Sequence, residues 1–165
     1  MPDVSETAFE DESPKDLALR LSIAKAQNIT KKYPSGLIIG SDQTLDCEGV
    51  ILGKPRNEEK AIMQLTKMSG KTLTFYTGLC VINAETMSSE QDVIKYEVVF
   101  RKLTEAEIER YVSHEKPIDC AGSFKSEALG IALLERMTGD DPTALVGLPL
   151  ISLSKMLRRM GLAIP

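Results

Sequence analysis

The hydrophobic positions of the chain switch between helical and extended spacing, which predicts a mixed α/β fold. Residues 1–13 form a polar, acidic lead-in. Apolar residues then recur from Leu17 to Ile29 at roughly helical spacing, which predicts a helix over 14–30. Ser13 suits the N-cap of this helix, and the proline that follows it suits the first helical turn.

The next stretch carries the most chemistry in the sequence. An apolar run predicts a short buried strand over 37–40, and a second extended segment is predicted over 44–52. Asp42 and Gln43 then lie at the mouth of the first strand, and Lys54 follows the second segment. An acid, an amide and a lysine at strand ends are typical of a charged-ligand site in an open α/β sheet.

Capping and periodicity predict the remaining elements. Asn57 caps a second helix, on which Gln64 is expected to face water. Thr104 and Glu107 form a capping box at the start of a third helix. The other predicted elements are a long β-branched and aromatic strand, its antiparallel partner and a closing amphipathic helix, over residues 71–82, 92–101 and 151–160.

Length and composition fit one domain. A chain of 165 residues can bury its own core over 1–165, and 42% hydrophobic and 27% charged residues are ordinary for a globular protein. The net charge of −4 argues against general nucleic-acid binding, which favours a basic surface. No apolar run approaches the ~20 residues of a membrane helix, and the N-terminus lacks the apolar core of a signal peptide.

The cysteines and the histidine argue against a zinc site of the usual kind. The three cysteines are widely and irregularly spaced, no C-x-x-C pair occurs, and His114 is the only histidine. We interpret the thiols as reduced, which predicts a cytoplasmic protein.

Three sequence blocks occur in a defined order over nearly the whole chain. They are SDQ…GKP at 41–55, AGSFKSEALG at 121–130 and VGLPL at 146–150, with TFYTG at 74–78 in support. Together they resemble the Maf family of nucleoside-triphosphate pyrophosphatases. The glutamine after Asp42 and the FKSE residues look closest to the branch that acts on 7-methyl-GTP. The resemblance implies a single mixed sheet flanked by helices, as in Maf and ITPase-like proteins.

The resemblance also implies a reaction. The enzyme would hydrolyse the α–β phosphoanhydride of a nucleotide, giving a monophosphate and pyrophosphate with help from Mg²⁺ or Mn²⁺. Asp42 would be the proton acceptor that activates water, and Glu6 and Asp42 would be the metal ligands. Carboxylates and a hard cation suit phosphoryl transfer, which needs charge stabilisation and an oriented water.

Four more residues receive roles from the same resemblance. Lys25 and Lys54 would neutralise phosphate charge. Gln43 and Glu127 would select the nucleotide base, since a carboxylate suits the positive charge and N–H donors of 7-methylguanine. The partner would be a small-molecule nucleotide, with no nucleic acid and no membrane, and the family resemblance also implies a homodimer.

The sequence departs from the family at its start. Members normally begin with an apolar strand and an S-x-S-P-R loop that supplies phosphate ligands, and this sequence begins after that point. Ser13-Pro14-Lys15 does not replace the loop, because it follows Glu6 and opens the first helix. We therefore expect a shortened domain that lacks the first strand and the phosphate loop. The alternative function is that of a catalytically impaired relative, which binds nucleotide or acts through a protein contact related to septum inhibition.

Each candidate residue also has an ordinary structural role open to it. Asp42 could cap a turn, Lys54 could be a solvated loop lysine, and Lys25 could lie on the polar face of its helix. Glu6 lies in a segment where solvation is the default. Residues 123–126 could form a polar loop without contact to a ligand.

Overall fold

The computed structural model describes residues 4–165 and confirms the α/β class. Within that range the helices are α1 (Pro14–Thr30), α2 (Glu58–Met68), α3 (Glu105–Glu115) and α4 (Leu150–Arg159). The strands are β1 (Leu37–Cys47), β2 (Val50–Ile51), β3 (Thr72–Asn83), β4 (Ser89–Phe100) and β5 (Leu134–Gly139). Among the described residues, no helix is long and apolar enough to cross a membrane.

The five strands form one sheet in the order β2-β1-β3-β4-β5. The β1–β2 and β4–β5 pairs are antiparallel. Adjacent strands joined by a short turn must also run antiparallel, and only residues 84–88 separate β3 from β4. The antiparallel partnership predicted for these two strands is therefore confirmed.

Local capping explains where the first three helices begin. The side chains of Ser13, Asn57 and Thr104 accept hydrogen bonds from the backbone N–H groups of Asp16, Lys60 and Glu107. These bonds satisfy donors that a helix start leaves without intrahelical partners. Thr104 and Glu107 complete a reciprocal capping box, as the sequence predicts.

The described chain divides into two compact units. Unit 1 comprises the described residues through Gln43 together with Tyr76–Lys95 and Asp140–Pro165. Unit 2 comprises Thr44–Phe75 and Tyr96–Gly139. The strands β1, β3 and β4 each contribute residues to both units.

Within unit 1, helices cover both faces of β3. Successive side chains of a strand point to opposite faces, so the apolar run 79–82 can fill two cores. Cys80 and Ile82 pack with Ala26 of α1. Leu79 and Val81 pack with α4, whose buried contacts in this core are Leu153 and Met156. Burial raises the pKa of the Cys80 thiol to about 11, so this thiol stays protonated at neutral pH.

Two glycines let α1 lie directly on the sheet in unit 1. A Cβ added to Gly40 of β1 would lie 2.2 Å from the Ser22 carbonyl oxygen and 2.8 Å from the Ala26 backbone nitrogen. A Cβ added to Gly78 of β3 would lie 2.2 Å from the Ala18 carbonyl oxygen. Neither position has room for a side chain, since backbone atoms of α1 occupy the space.

Unit 2 is centred on aromatic packing. Phe124 lies in the loop after α3, and its ring centroid is 6.0 Å from that of Phe75 and 5.5 Å from that of Phe100. Phe75 belongs to β3 and Phe100 to β4, so this contact holds the loop against strand residues of the same unit. Gly122, at φ +62°, lies close to Leu45 and Met68 and leaves no room for a side chain.

Two strands differ from the prediction. The segments predicted over 37–40 and 44–52 are mostly one continuous strand, β1, followed by the short β2. Asp42 and Gln43 therefore lie in the middle of a strand and not at its mouth, because the polar residues 41–44 find partners on both faces. The edge strand β5 was not predicted, since nearly all of its residues are exposed and it has no apolar alternation.

We expect Gly40→Ala to destabilise the protein by about 1–3 kcal/mol, the usual cost of overpacking, because backbone atoms of α1 cannot move aside as a side chain could. Urea unfolding followed by circular dichroism measures the change. Gly53→Ala is the matched control, since nothing lies within 4 Å of its Cβ position. Equal stability of the two variants would contradict the close contact between α1 and β1.

Candidate active site

Alternation along β1 sends its side chains to two different surroundings within unit 1. Ile38 packs with Ala26 of α1, and Asp42 is bonded to Lys25 of the same helix. The odd-numbered residues face the other way. Leu37 packs with the α4 core, and Gln43 bonds the segment that precedes α4. Asp42 and Gln43 are neighbours in sequence, but their side chains leave opposite faces of the strand.

Lys25 brings two acidic side chains together on the α1 side. Its ammonium group lies 2.9 Å from Glu6 Oε1 and forms a short hydrogen bond with Asp42 Oδ1. The Asp42 side chain is 13% exposed, whereas that of Glu6 is 60% exposed. One carboxylate of the cluster is therefore held in the protein and the other lies at its surface. Three of the predicted site residues thus lie together.

The electrostatics of the cluster keep Lys25 charged. Partial burial disfavours the ammonium form, but the hydrogen bonds that it donates to Asp42 and Glu6, together with the charges of the two acids, outweigh this effect, so the pKa of Lys25 is raised above its ordinary value. The ammonium in turn holds the Asp42 carboxylate in a fixed orientation through their hydrogen bond. An ionised carboxylate of fixed orientation is what a proton acceptor requires.

Gln43 is held by the segment before α4. Its Nε2 donates to the carbonyl oxygens of Ala144 and Leu145, at 2.8 and 3.2 Å, and lies 3.1 Å from Thr77 Oγ1. The Thr77 hydroxyl is fully buried and donates to the Ala144 carbonyl at 2.8 Å. Carbonyls only accept, so the orientation of the Gln43 amide is determined. Its N–H groups serve the protein, and a ligand could use only its Oε1.

Ser41 reinforces the same contact one residue before Asp42. Its hydroxyl lies 2.8 Å from the carbonyl oxygens of both Gly78 and Gly147. The SDQ, TFYTG and VGLPL blocks therefore meet within unit 1. The residues on either side of Asp42 are anchored on the opposite face of β1, which fixes the backbone that carries the Asp42 carboxylate.

Lys54 and Glu127 belong to unit 2, and both are exposed. Their loops are joined through Gln64 of α2, whose Nε2 donates to Gly53 O at 3.0 Å and whose Oε1 accepts from Ser123 Oγ at 2.7 Å. The Gly122 N–H also donates to Gly53 O, at 3.3 Å. The structure therefore brings the GKP and AGSFKSE blocks together within this unit.

One expectation for unit 2 is corrected, and the contacts of Lys125 are defined. Gln64 does not simply face water, because its amide finds two partners in the adjoining loops. The Lys125 ammonium donates to the Glu115 carbonyl at 2.8 Å, and its backbone N–H donates to Tyr111 Oη at 3.1 Å. Lys125 thus has a structural role in holding the loop to α3.

Sequence reasoning missed Ser41, Gln64 and Thr77, although two of them lie inside blocks that it singled out. Their partners are mainly backbone carbonyls of segments distant in sequence, and carbonyls leave no residue signature. The available signal was a hydroxyl in the middle of an apolar strand, as at Thr77. A buried hydroxyl needs a hydrogen-bond partner.

Comparison with known proteins identifies the family. The sequence profile of the Maf-like proteins matches residues 1–160. The chain belongs to the Maf family. It is 53% identical to a 7-methyl-GTP pyrophosphatase of Idiomarina loihiensis over 163 residues, which cover 98% of this chain and 82% of that protein. The family resemblance found in the motifs is therefore confirmed.

The acidic pair has the donor chemistry of a two-carboxylate metal site. Glu6 and Asp42 supply hard oxygen atoms on either side of one cationic group. Mg²⁺ usually takes one or two carboxylates and keeps water and phosphate oxygens as its other ligands. Among residues 4–165, no cluster of three or more acidic, histidine or cysteine side chains could hold a metal on its own. The residues present fit a divalent metal whose remaining ligands are water and phosphate oxygens.

We expect Lys25→Met to destabilise the protein and to change its pH dependence. Because the pKa of Lys25 is raised in the folded state, its contribution to stability is fully present below the unfolded value near 10.5 and is lost as pH rises through the folded value. The stability difference between wild type and variant should therefore be constant from pH 7 to about 10 and shrink above it.

Urea unfolding at a series of pH values from 7 to 11.5 measures this difference. Lys15→Met is the control, since Lys15 is exposed on the same helix. A difference for Lys25→Met that does not change with pH would show that the ammonium gains nothing from Glu6 and Asp42.

Proposed function

We propose that this protein is a nucleotide pyrophosphatase that hydrolyses 7-methyl-GTP, or a related modified nucleotide, to the monophosphate and pyrophosphate. The observation that carries the proposal is the Glu6–Lys25–Asp42 cluster, in a Maf-family chain 53% identical to a protein named for this activity. A nucleotide is a polyanion, and the cluster combines a fixed cation with a carboxylate that can accept a proton.

Asp42 is the proposed proton acceptor. A water oxygen attacks the α-phosphorus, the Asp42 carboxylate takes the proton of that water, and the α–β P–O bond breaks with its electron pair leaving on pyrophosphate. Lys25 supports this step because its ammonium orients the Asp42 carboxylate. The fixed backbone between Ser41 and Gln43 adds to the orientation.

Maf-type nucleotide pyrophosphatases are metal-dependent, and Mg²⁺ or Mn²⁺ is the proposed cofactor here. Glu6 and Asp42 would hold it, as their oxygen donors suit a hard divalent cation. When bound, such a cation neutralises phosphate charge and polarises the reacting phosphorus centre. Lys25 contributes a further positive charge from the protein itself.

Lys54 and Glu127, which belong to unit 2, have the roles in the proposal that the family resemblance implies for them. Lys54 is exposed, so its ammonium can pair with phosphate oxygens, and the exposed Glu127 carboxylate can attract a positively charged 7-methylguanine. The role of Gln43 in selecting the base stays a prediction. Only its Oε1 could contact the base, because its Nε2 donates to the carbonyl oxygens of Ala144 and Leu145.

Two further proposals concern the setting of the protein. The cysteines Cys47, Cys80 and Cys120 are free thiols, which supports a cytoplasmic compartment. A homodimer is proposed from the family resemblance alone.

Pyrophosphate release by the purified chain tests the proposal, with Mg²⁺ or Mn²⁺ and a panel of 7-methyl-GTP, GTP, dTTP and UTP. We expect 7-methyl-GTP to be turned over fastest. Asp42→Asn should lower the rate by about 10²–10⁴-fold, the usual contribution of a positioned acid or base. Asp46→Asn, on the same strand, is the control and should keep the wild-type rate.

A folded chain that turns over none of these nucleotides would support the alternative, a catalytically impaired relative. Turnover that survives in Asp42→Asn would remove Asp42 as proton acceptor and leave the family assignment unchanged.

Glu127→Gln should change the preference for the base. A hydrogen bond to a charged group contributes about 1.5–3 kcal/mol, so kcat/KM for 7-methyl-GTP should fall by about 10-fold or more. The value for GTP, whose base is neutral, should change much less. Steady-state kinetics on both nucleotides measure the ratio. Glu135→Gln, an exposed acid of the same unit, is the control. An unchanged ratio in Glu127→Gln would exclude this residue from the base site.

A further inference from the structure

Arg20 of α1 binds residues 7–12 of the acidic lead-in. Its guanidinium makes a bidentate pair with Glu12, with Nε 2.6 Å from Oε1 and Nη2 2.8 Å from Oε2. The same Nη2 donates to the Thr7 carbonyl at 3.0 Å. The ring of Phe9 lies 4.1 Å from the guanidinium carbon, which is a cation–π contact. One side chain therefore contacts three residues of the segment 7–12.

Burial contributes little to holding the described residues 5–11 of the lead-in. Every residue from Ser5 to Asp11 is exposed, and the Phe9 side chain is 65% exposed. Two local bonds give the segment a turn, from Glu12 N to Phe9 O at 3.2 Å and from Phe9 N to Glu12 Oε2 at 3.0 Å. A short polar segment without buried apolar contacts has little stability of its own. The contacts of Arg20 thus supply much of its order.

The lead-in contains the carboxylate that the proposed reaction needs, that of Glu6. Glu6 directly precedes Thr7, whose carbonyl Arg20 binds, and the Glu6 carboxylate reaches the Lys25 ammonium at 2.9 Å. Arg20 lies five residues before Lys25 on α1. The helix therefore binds the segment 7–12 through Arg20 and pairs with Glu6 through Lys25.

We propose that Arg20 is a positioning residue that holds Glu6 beside Lys25 and Asp42, and so creates the divalent-cation site. This inference rests on the proposed function for the role of the cation. Arginine is required because a planar fork can bind the carboxylate of Glu12 at two points while its face covers an aromatic ring, which a lysine ammonium cannot do. Arg20 itself touches neither the cation nor the nucleotide.

The test compares wild type with Arg20→Lys and Glu12→Gln, using Mn²⁺ alone as the probe. Binding of Mn²⁺ to the protein without nucleotide is measured by electron paramagnetic resonance. Loss of a group that orients a metal ligand typically costs about 10–100-fold in metal affinity, so Kd should rise by about 10-fold in both variants. Amide hydrogen exchange of residues 6–12 should become faster in both. Lys32→Met, an exposed lysine beyond the end of α1, should change neither.

Steady-state kinetics separate the proposed role of Arg20 from a merely structural one. If Arg20 positions the metal ligand Glu6, the KM for nucleotide at saturating Mn²⁺ should stay within about 2-fold of wild type in both variants. The Mn²⁺ concentration that gives the half-maximal rate should rise with the Kd for Mn²⁺. Unfolding in urea shows whether the variants are folded. Folded variants that keep the wild-type Mn²⁺ affinity and exchange rates would overturn the inference.

The two proposals can fail separately. If the wild-type chain binds no Mn²⁺, the inference on Arg20 is overturned whatever the turnover. If Mn²⁺ binding depends on Arg20 as described but no nucleotide is hydrolysed, the inference stands and the proposed function fails.

Discussion

The organisation of unit 1 depends on the close contact between α1 and the strands beneath it. Gly40 and Gly78 have no side chain, so the helix backbone comes within van der Waals distance of β1 and β3. At that separation the Lys25 side chain of α1 reaches the Asp42 carboxylate of β1. A helix one side-chain layer farther away would leave Asp42 without its cation, and a partly buried carboxylate without a cation is costly. The packing of two small residues thus determines the electrostatics of the candidate site.

The opposite face of β1 has a complementary role. Ser41, Gln43 and the buried hydroxyl of Thr77 bond the carbonyls of residues 144–147. These contacts use groups that cannot rotate away without leaving buried polar atoms unpaired, and no such atom occurs among the described side chains. The strand that carries Asp42 therefore has α1 packed on one face and hydrogen bonds to residues 144–147 on the other, so its position is determined from both faces.

Much of this architecture could be predicted from the sequence, because local rules determine it. The caps at Ser13, Asn57 and Thr104 and the apolar runs of the strands specify elements by themselves. The roles of Gln43 and Gln64 could not be predicted, since an amide looks the same whether it faces a ligand, a carbonyl or water. The acidic lead-in shows the same limit. Its composition suggests solvation, and only the structure shows that Arg20 holds it.

The alternation of β1 has a consequence for how this stretch can vary. Asp42 faces α1 only because it lies an even number of residues from Ile38, and Gln43 faces the other side for the same reason. Adding or removing one residue between Ile38 and Asp42 would exchange the two side chains, and would present an amide to Lys25 and a carboxylate to a row of carbonyl oxygens. A substitution in this stretch changes one side chain and can have a small or a large effect. A change in its length moves every later side chain of the strand to the opposite face. The position of each SDQ residue along β1 therefore matters as much as its identity, because the position decides which face of the strand its side chain leaves.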